Sequence, residues 1–403
     1  MTPRALVAPR SELTLARTAF VSTYAPHRCG IATFTSDLAA AVGPHQVVAL
    51  HPVSGPDAYP SVVRHRIRRD SHADYLIVAE ALNASGVDTV SIQHEYGIWG
   101  GEDGAYVLDF VRALRVPVVT TLHTVLRTPT PSQRRILTAL VGMSATTVVM
   151  SNAAASLLTR AYGVDAQRVR IVPHGVPDLP LVDSETVKPR LGLAGRKVIL
   201  SFGLLGPGKG YESVIAALPA VAEAVPDALY VVLGATHPDL LRHEGEAYRN
   251  RLVAAAQSLD VTDHVRFVDR FVGRTELGTW LEAADIFVTP YPNLDQIVSG
   301  TLSYAMGAGR AVVSTPYAYA LERLAAGRGR IVQASSSEAM ASTLVELLGD
   351  RAARDTLGRR AYAYTRSMVW SEVGAEYARI FASAGRVPMP VLGPVARLAA
   401  VGG

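Results

Sequence analysis

The chain of 403 residues holds one cysteine, Cys29. An internal disulfide and a cysteine-based zinc site are therefore excluded, which suits a reducing compartment. Long hydrophobic runs are missing too. No apolar stretch approaches the ~18–20 residues that span a bilayer, so no transmembrane helix is expected. The opening "MTPRALVAPRSELTLARTAF" has neither a continuous apolar core nor a small-residue cleavage site. Together these absences make the cytoplasm the expected location. Charge is scarce as well: 18% of residues are Asp, Glu, Lys or Arg, and the net charge of +4 is too mild and scattered for a nucleic-acid partner. The densest basic cluster, "RHRIRRD" (Arg64 to Asp70), reads first as a solvated face. A peripheral contact with an anionic membrane or substrate is its minor reading.

What is abundant is apolar. Hydrophobic residues make up 49% of a chain too long for one ordinary domain. Short β-branched runs alternate with helical stretches: "TAFVST", "QVVALHP", "TVSIQHE", "PVVTTLH", "TTVVMS" and "RVRIVPHG". A helix is expected from about Thr33 to Val42. After a Pro-rich stretch from Pro173 to Pro189 the rhythm restarts with "KVILSFG", "ALYVVLG", "VRFVDRF", "DIFVTPY", "AVVSTPY" and "GRIVQ". This is the pattern of βαβ units and parallel, doubly wound sheets. The fold class is α/β, two Rossmann-like domains facing a central cleft. The expected division is a tail at 1–17, a first domain at 18–176, a second at 177–365, a helix crossing back at 366–385, and a tail at 386–403. Ligands of such sheets bind beyond the carboxyl ends of the strands.

The stretch "SFGLLGPGKGYESV" (Ser201 to Val214) nearly spells a P-loop. A P-loop continues from its lysine with Ser or Thr to hold magnesium; here Gly210 follows Lys209. Gly206, Gly208 and Gly210 allow close backbone approach, and the helix expected near Tyr211 offers amides and its dipole to a phosphate. Lys209 adds a full charge. The bland alternative is a glycine-rich turn with a solvated lysine. A second loop, "TPYPNLDQIVSGTLSYAMGAGRAVVSTPY", places Asp295 and Gln296 before a helix opened by Ser299, Gly300 and Thr301. Those hydroxyls serve an anion or serve as plain caps; both readings stand. A diphosphate attached to a sugar would use both helix starts.

In the first half, "TLHTV" puts His123 at a strand end and "IQHEYGIWGG" puts His94, Glu95 and Tyr96 at another. A histidine there contacts a sugar hydroxyl, acts in acid–base chemistry, or is structural. His94 and Glu95 lack the HExxH spacing of a zinc site, so no metal and no cofactor are expected. Gly30, in "APHRCGIATFTSDL", turns the chain into a helix that touches donor or acceptor or simply packs.

Taken together, "TLHTV", "VRIVPHGV", "SFGLLGPGKGYESVIAAL", "AADIFVTPYP", the Asp295–Ala308 segment and "VWSEVGAEYARIF" resemble a retaining family-4 glycosyltransferase of the GT-B architecture, over about residues 18–385. The resemblance implies a nucleoside-diphosphate sugar donor (GDP or UDP) on the second domain and a hydroxyl acceptor on the first, where His94, Glu95 and Tyr96 are the expected acceptor-side residues. It implies that Lys209 holds the diphosphate, that His123 lies near the reacting sugar and that Asp295 contacts its hydroxyls. The ribose-binding glutamate of the family corresponds to Ser303, and an arginine of the family to Leu204, for which Arg270 or Arg310 would compensate. Gly208, Gly210, Gln296, Ser299, Gly300 and Thr301 complete the expected donor side. Hexosyl transfer from GDP-mannose or UDP-glucose is the leading expectation. The alternatives are a phosphorylase-like enzyme using a sugar 1-phosphate, suited by Ser303, a non-catalytic sugar-nucleotide binder, and a P-loop ATPase.

Overall fold

The computed structural model describes residues 16–52, 58–334 and 336–384. The expected tails at 1–17 and 386–403 lie outside these residues, apart from positions 16 and 17. The first sheet comprises β1 (Thr18–Ser22), β2 (His45–His51), β3 (Val63–Arg68), β4 (Thr89–His94), β5 (Val118–Leu122), β6 (Thr146–Val149) and β7 (Val169–Ile171), in the spatial order β3-β2-β1-β4-β5-β6-β7. The second comprises β8 (Lys197–Phe202), β9 (Ala228–Leu233), β10 (Val265–Val268), β11 (Ile286–Thr289), β12 (Ala311–Ser314) and β13 (Arg330–Ile331), in the order β10-β9-β8-β11-β12-β13. Every described pairing within both sheets is parallel.

Every residue of β1, β4, β5 and β9 is buried. Strands covered by helices on both faces need such unbroken sequestering, which is why their sequences run apolar rather than alternating. Several of the polar residues inside satisfy one another: Thr120 bonds Ser144 at 2.8 Å and Gln93 donates to Ser91 at 3.2 Å.

One local expectation is placed in the fold and another is corrected. The basic cluster Arg64 to Asp70 is largely strand β3, at the sheet edge. Its arginines do point outward, with Arg68 bound to Asp74 at 2.8 Å, and outward charge is what blunts an edge strand against foreign pairing. That pair holds the Asp74 carboxyl well below the usual range. The first helix runs Gly30–Val42, three residues earlier than expected, because Cys29 serves as the cap and its sulfur accepts from the Ala32 amide at 3.3 Å.

The chain crosses between domains twice, side by side. The Val176 amide donates to Met368 at 2.8 Å and the Trp370 amide to Val176 at 3.1 Å. A side chain on Gly175 would sit 2.2 Å from the Trp370 ring, so only glycine passes there. The last helix, Trp370–Ala384, buries Tyr377 and Phe381 among Phe20, Phe34 and Leu38 of the first domain.

Candidate functional site

In both sheets the strand order reverses once, between β1 and β4 and between β8 and β11. Crevices at such reversals are the binding positions of open α/β sheets. The loop after β8 carries Lys209 in a short 3₁₀ turn, Pro207–Lys209, directly before the helix Tyr211–Ala224. Gly210 has φ +69°, and a Cβ there would lie 2.0 Å from the carbonyl oxygen of Pro290. The residue that departs from the P-loop pattern is thus fixed by contact with the loop after β11, which no serine or threonine could make. Gly203 meets the same neighbourhood: a Cβ on it would lie 3.7 Å from Thr301 Cγ2. The two helix starts therefore stand together at the switch point.

Lys209 places its Nζ 4.5 Å from the centre of the Tyr291 ring, which stacks on Tyr317 at 5.2 Å. Among the described residues no carboxylate pairs with it, so its charge faces an aromatic surface and the loop opening. Gly208 has open space where a side chain would be. Ser299 caps the helix Gly300–Gly307 through the Leu302 amide at 3.3 Å, and Thr301 bonds Tyr291 at 2.7 Å. Both hydroxyls are engaged internally, as capping residues are. Gly300 faces the interdomain joint, where a Cβ would lie 2.8 Å from His174 Nε2. Gln296 donates to the Val298 carbonyl at 2.9 Å and shapes the loop.

Three expected donor contacts take other places. Ser303 is fully buried, its hydroxyl bonded to the Ser299 carbonyl at 3.0 Å and to the Tyr319 phenol at 2.8 Å, so it does not face a ribose. Arg270 is bound to Glu276 at 2.6 Å on the protein surface. Arg310 is buried, donating to the carbonyls of Ala308, Glu282, Ala284 and Val182. It ties loops together from a buried position, with four of its five N–H donors spent on backbone carbonyls, so it does not replace an arginine at Leu204.

On the first domain His123 follows β5. Its Nε2 donates to the Gln93 amide oxygen at 2.9 Å, which leaves Nδ1 as the acceptor. Burial, helped by the nearby His174 and His94, pushes its pKa down to about 3, so the ring is neutral at physiological pH. His94 is completely buried with neither ring nitrogen bonded, and burial alone takes it to about 4. Glu95 accepts from the Tyr96 amide at 3.0 Å and from the Thr124 hydroxyl; burial raises its carboxyl. The Tyr96 hydroxyl turns inward to the Gln133 carbonyl at 3.3 Å, so the acceptor contact expected of it is not offered. Gly30 begins its helix with open space at the Cβ position.

The domains meet across this cleft. Asp295 accepts from Arg127 Nε at 2.8 Å, both half exposed. Phe34 touches His123, His174 and Trp370 with ring centres 4.8, 5.1 and 5.3 Å apart. Asp37, Arg127, His174, Arg274 and Tyr304 were not legible as site residues. Asp37 carried one signal, a carboxylate on the same helical face as Phe34 and Leu38, where the core pattern calls for an apolar residue.

This architecture matches known proteins. Residues 27–178 match the family described as Glycosyltransferase Family 4, and residues 183–364 match Glycosyl transferases group 1. D-inositol 3-phosphate glycosyltransferase of Xylanimonas cellulosilytica is 30% identical over 300 residues, 67% of each chain. Phosphatidyl-myo-inositol mannosyltransferase of Mycolicibacterium smegmatis is 28% identical over 240 residues, 58% of this chain and 56% of the relative. The match thus spans little more than half the length of that relative. The solved structure of Anabaena HepE in complex with UDP and glucose superposes with a TM-score of 0.74 at 15% identity, over 91% of this chain and all of that one. Sucrose-phosphate synthase of Thermosynechococcus elongatus gives 0.74 at 16%, over 91% and 98%. The fold is GT-B, and the chain belongs to the group 1, family-4 glycosyltransferases. Among the described residues no helix is long and apolar enough to cross a membrane.

Proposed function

We propose that this chain transfers a hexosyl group from a nucleoside-diphosphate sugar to a hydroxyl acceptor with retention at the anomeric carbon. The observation that carries the reading is the convergence of Lys209 and two helix starts at the β8/β11 switch point. Residues 177–365 form the donor side and 18–176 the acceptor side. GDP-mannose and UDP-glucose are the first donors to assay: the relatives include a mannosyltransferase, and HepE was solved with UDP and glucose. Inositol in the relatives' names makes inositol-bearing hydroxyls the first acceptors.

In the reaction the bond between the anomeric carbon and the diphosphate oxygen breaks. The acceptor oxygen bonds the same face of that carbon, and its proton passes to the departing phosphate oxygen. Lys209 and the amides opening the helix at Tyr211 stabilise the charge that develops, and a preorganised site does so without reorganising. His123, neutral and held through Nε2 by Gln93, presents Nδ1 as an acceptor to a sugar hydroxyl. It is an orienting group, since a ring with a pKa near 3 is a poor proton donor at neutral pH. Asp295, steadied by Arg127, accepts from sugar hydroxyls. Closure of the domains excludes water that would hydrolyse the donor.

The phosphorylase-like alternative requires Ser303 to stand where a carboxylate would otherwise hold a ribose. With Ser303 inside the fold, its identity carries no information about a missing nucleotide. The test is calorimetric titration with UDP and GDP, followed by turnover of both sugar nucleotides. Binding of a nucleotide that weakens in Lys209→Ala supports the assignment; no binding, or equal binding by the variant, defeats it.

A further inference from the structure

We propose that Asp37 is a positioning residue that holds the acceptor-side helix against the donor-side helices and thereby sets domain closure, an inference that rests on the transferase reading for its catalytic consequence. Asp37 lies on the helix Gly30–Val42 of the first domain and its side chain is 2% exposed. Among the described residues, both groups that bind it come from the second domain. The Tyr304 phenol donates to Oδ2 at 2.7 Å, and the Arg274 guanidinium pairs with Oδ1. A carboxylate buried in one domain with all its partners in the other is satisfied only when the two are together.

Those partners sit at informative places. Arg274 is the first residue of the helix Arg274–Ala283. Tyr304 lies on the helix Gly300–Gly307, just beyond the start that stands beside the Lys209 loop. One turn before Asp37, Phe34 packs against His123, His174 and Trp370. A single helix therefore grips the donor-side helix with Asp37 and braces His123 with Phe34. The separation between His123 and the donor site follows from that grip.

The other polar contacts across the cleft are of a different kind. Ser151 donates to the Ile297 carbonyl at 2.8 Å, and Arg323 to the Met150 carbonyl. Glu322 accepts from Asn152 and Ala153 at the start of a first-domain helix. These lie beyond β6, toward the far end of the first sheet. The Arg127–Asp295 pair is half exposed and exposed pairs are weak. A buried charge that loses its partners is costly; Arg323 is buried too but keeps Tyr364 and Glu322 of its own domain, whereas Asp37 loses both its partners, so the Asp37 contacts respond most sharply to opening.

The experiment compares wild type with Asp37→Asn, Asp37→Glu and Arg274→Gln. Small-angle X-ray scattering of the ligand-free proteins reads closure, titration with UDP and GDP reads the second domain, and turnover of UDP-glucose and GDP-mannose reads alignment. Asp37→Asn and Arg274→Gln should both increase the radius of gyration. They should lower kcat by up to about 100-fold, as misplacement of reacting groups does, while nucleotide affinity stays unchanged. Asp37→Glu should recover part of the loss. Scattering profiles that superpose on wild type, or nucleotide affinity falling in step with kcat, would overturn the proposal. Arg274 is largely exposed, so its variant folds even if Asp37→Asn does not. If the wild type turns over neither donor, the transferase reading fails, and scattering still decides the role of Asp37 in closure.

Discussion

The two walls of the cleft are built from the same βαβ units and differ in how they treat polar groups. The first wall is largely dry: His94 and His174 are buried, His123 is part-buried, all three are held neutral, and Glu95 and Tyr96 spend their bonds internally. The second wall keeps its glycine-rich loop open, with helix-start amides and Lys209 unmatched by a carboxylate among the described residues. On the proposed function, one wall orients a neutral substrate by shape and single hydrogen bonds and the other receives an anion. That reading divides recognition from charge stabilisation, and the division can be tested.

The largest effect is expected inside the second wall, where openness ends. Ser303→Glu forces a carboxylate into a fully buried site with no space for it. An uncompensated buried charge costs about 3–5 kcal/mol, so denaturant titration should show a strongly destabilised or unfolded protein. A variant as stable as wild type, with tighter nucleotide binding, would restore the ribose role that the geometry removes. Next comes Lys209→Ala, with a turnover loss of about 10²–10³ for one preorganised electrostatic donor and an unchanged melting temperature. Normal turnover would break the contrast between the walls.

Gly210→Ala acts on the same loop through the backbone. Its positive φ and the Pro290 carbonyl leave no room for a methyl group. Strain of about 1–3 kcal/mol should weaken nucleotide binding about 10- to 100-fold, read by titration. Binding unchanged by the methyl group would mean that the two loops are not held in register by their contact.

The dry wall should reveal itself by pH. The three histidines have folded values near 4, 3 and 4 against an ordinary value of 6.5. As pH falls below 6.5 the unfolded chain takes up protons that the folded chain refuses. Stability is therefore full above about 6.5 and is lost on acidification, at about 1.4 kcal/mol per pH unit for each histidine until its folded value is reached. Glu95, whose carboxyl burial raises, works in the opposite direction but is one group against three. Melting temperatures from pH 7 to 5 should fall, and His94→Phe should flatten the dependence; a flat wild-type profile would show these rings to be wet. The smallest effect concerns Arg127 and Asp295. Asp295→Asn should change stability by less than about 1 kcal/mol, as exposed pairs do, and leave nucleotide affinity intact while lowering sugar transfer.

Legibility followed the same division. The strands of the second sheet stood out because each is an apolar run closed by Gly, Pro or a charged turn. The loop with Lys209 was legible because glycine spacing is a local signal. β3 was hidden, since an edge strand of alternating arginines shows as a solvated charged face and lacks the apolar run of a buried strand. Ser303 was misplaced because which side of a short helix faces the cleft depends on tertiary packing: its neighbour Tyr304 reaches across, while Ser303 turns to Tyr319. Asp37 and Arg274, 237 positions apart, belong to no common motif, and only the folded chain brings them together.

The returning helix Trp370–Ala384 has a consequence for how the protein comes into being. The Thr121 hydroxyl bonds the Tyr377 phenol at 3.0 Å and the Thr89 hydroxyl donates to the Phe381 carbonyl at 3.1 Å, so two central strands of the first domain are completed by residues translated after the whole second domain. On the ribosome the first domain emerges early and waits with one face uncovered while the whole second domain is made. Its order of synthesis and its order of completion are reversed. Chaperone dependence and sensitivity to C-terminal truncation should therefore fall on the first domain, the half farthest in sequence from the missing end.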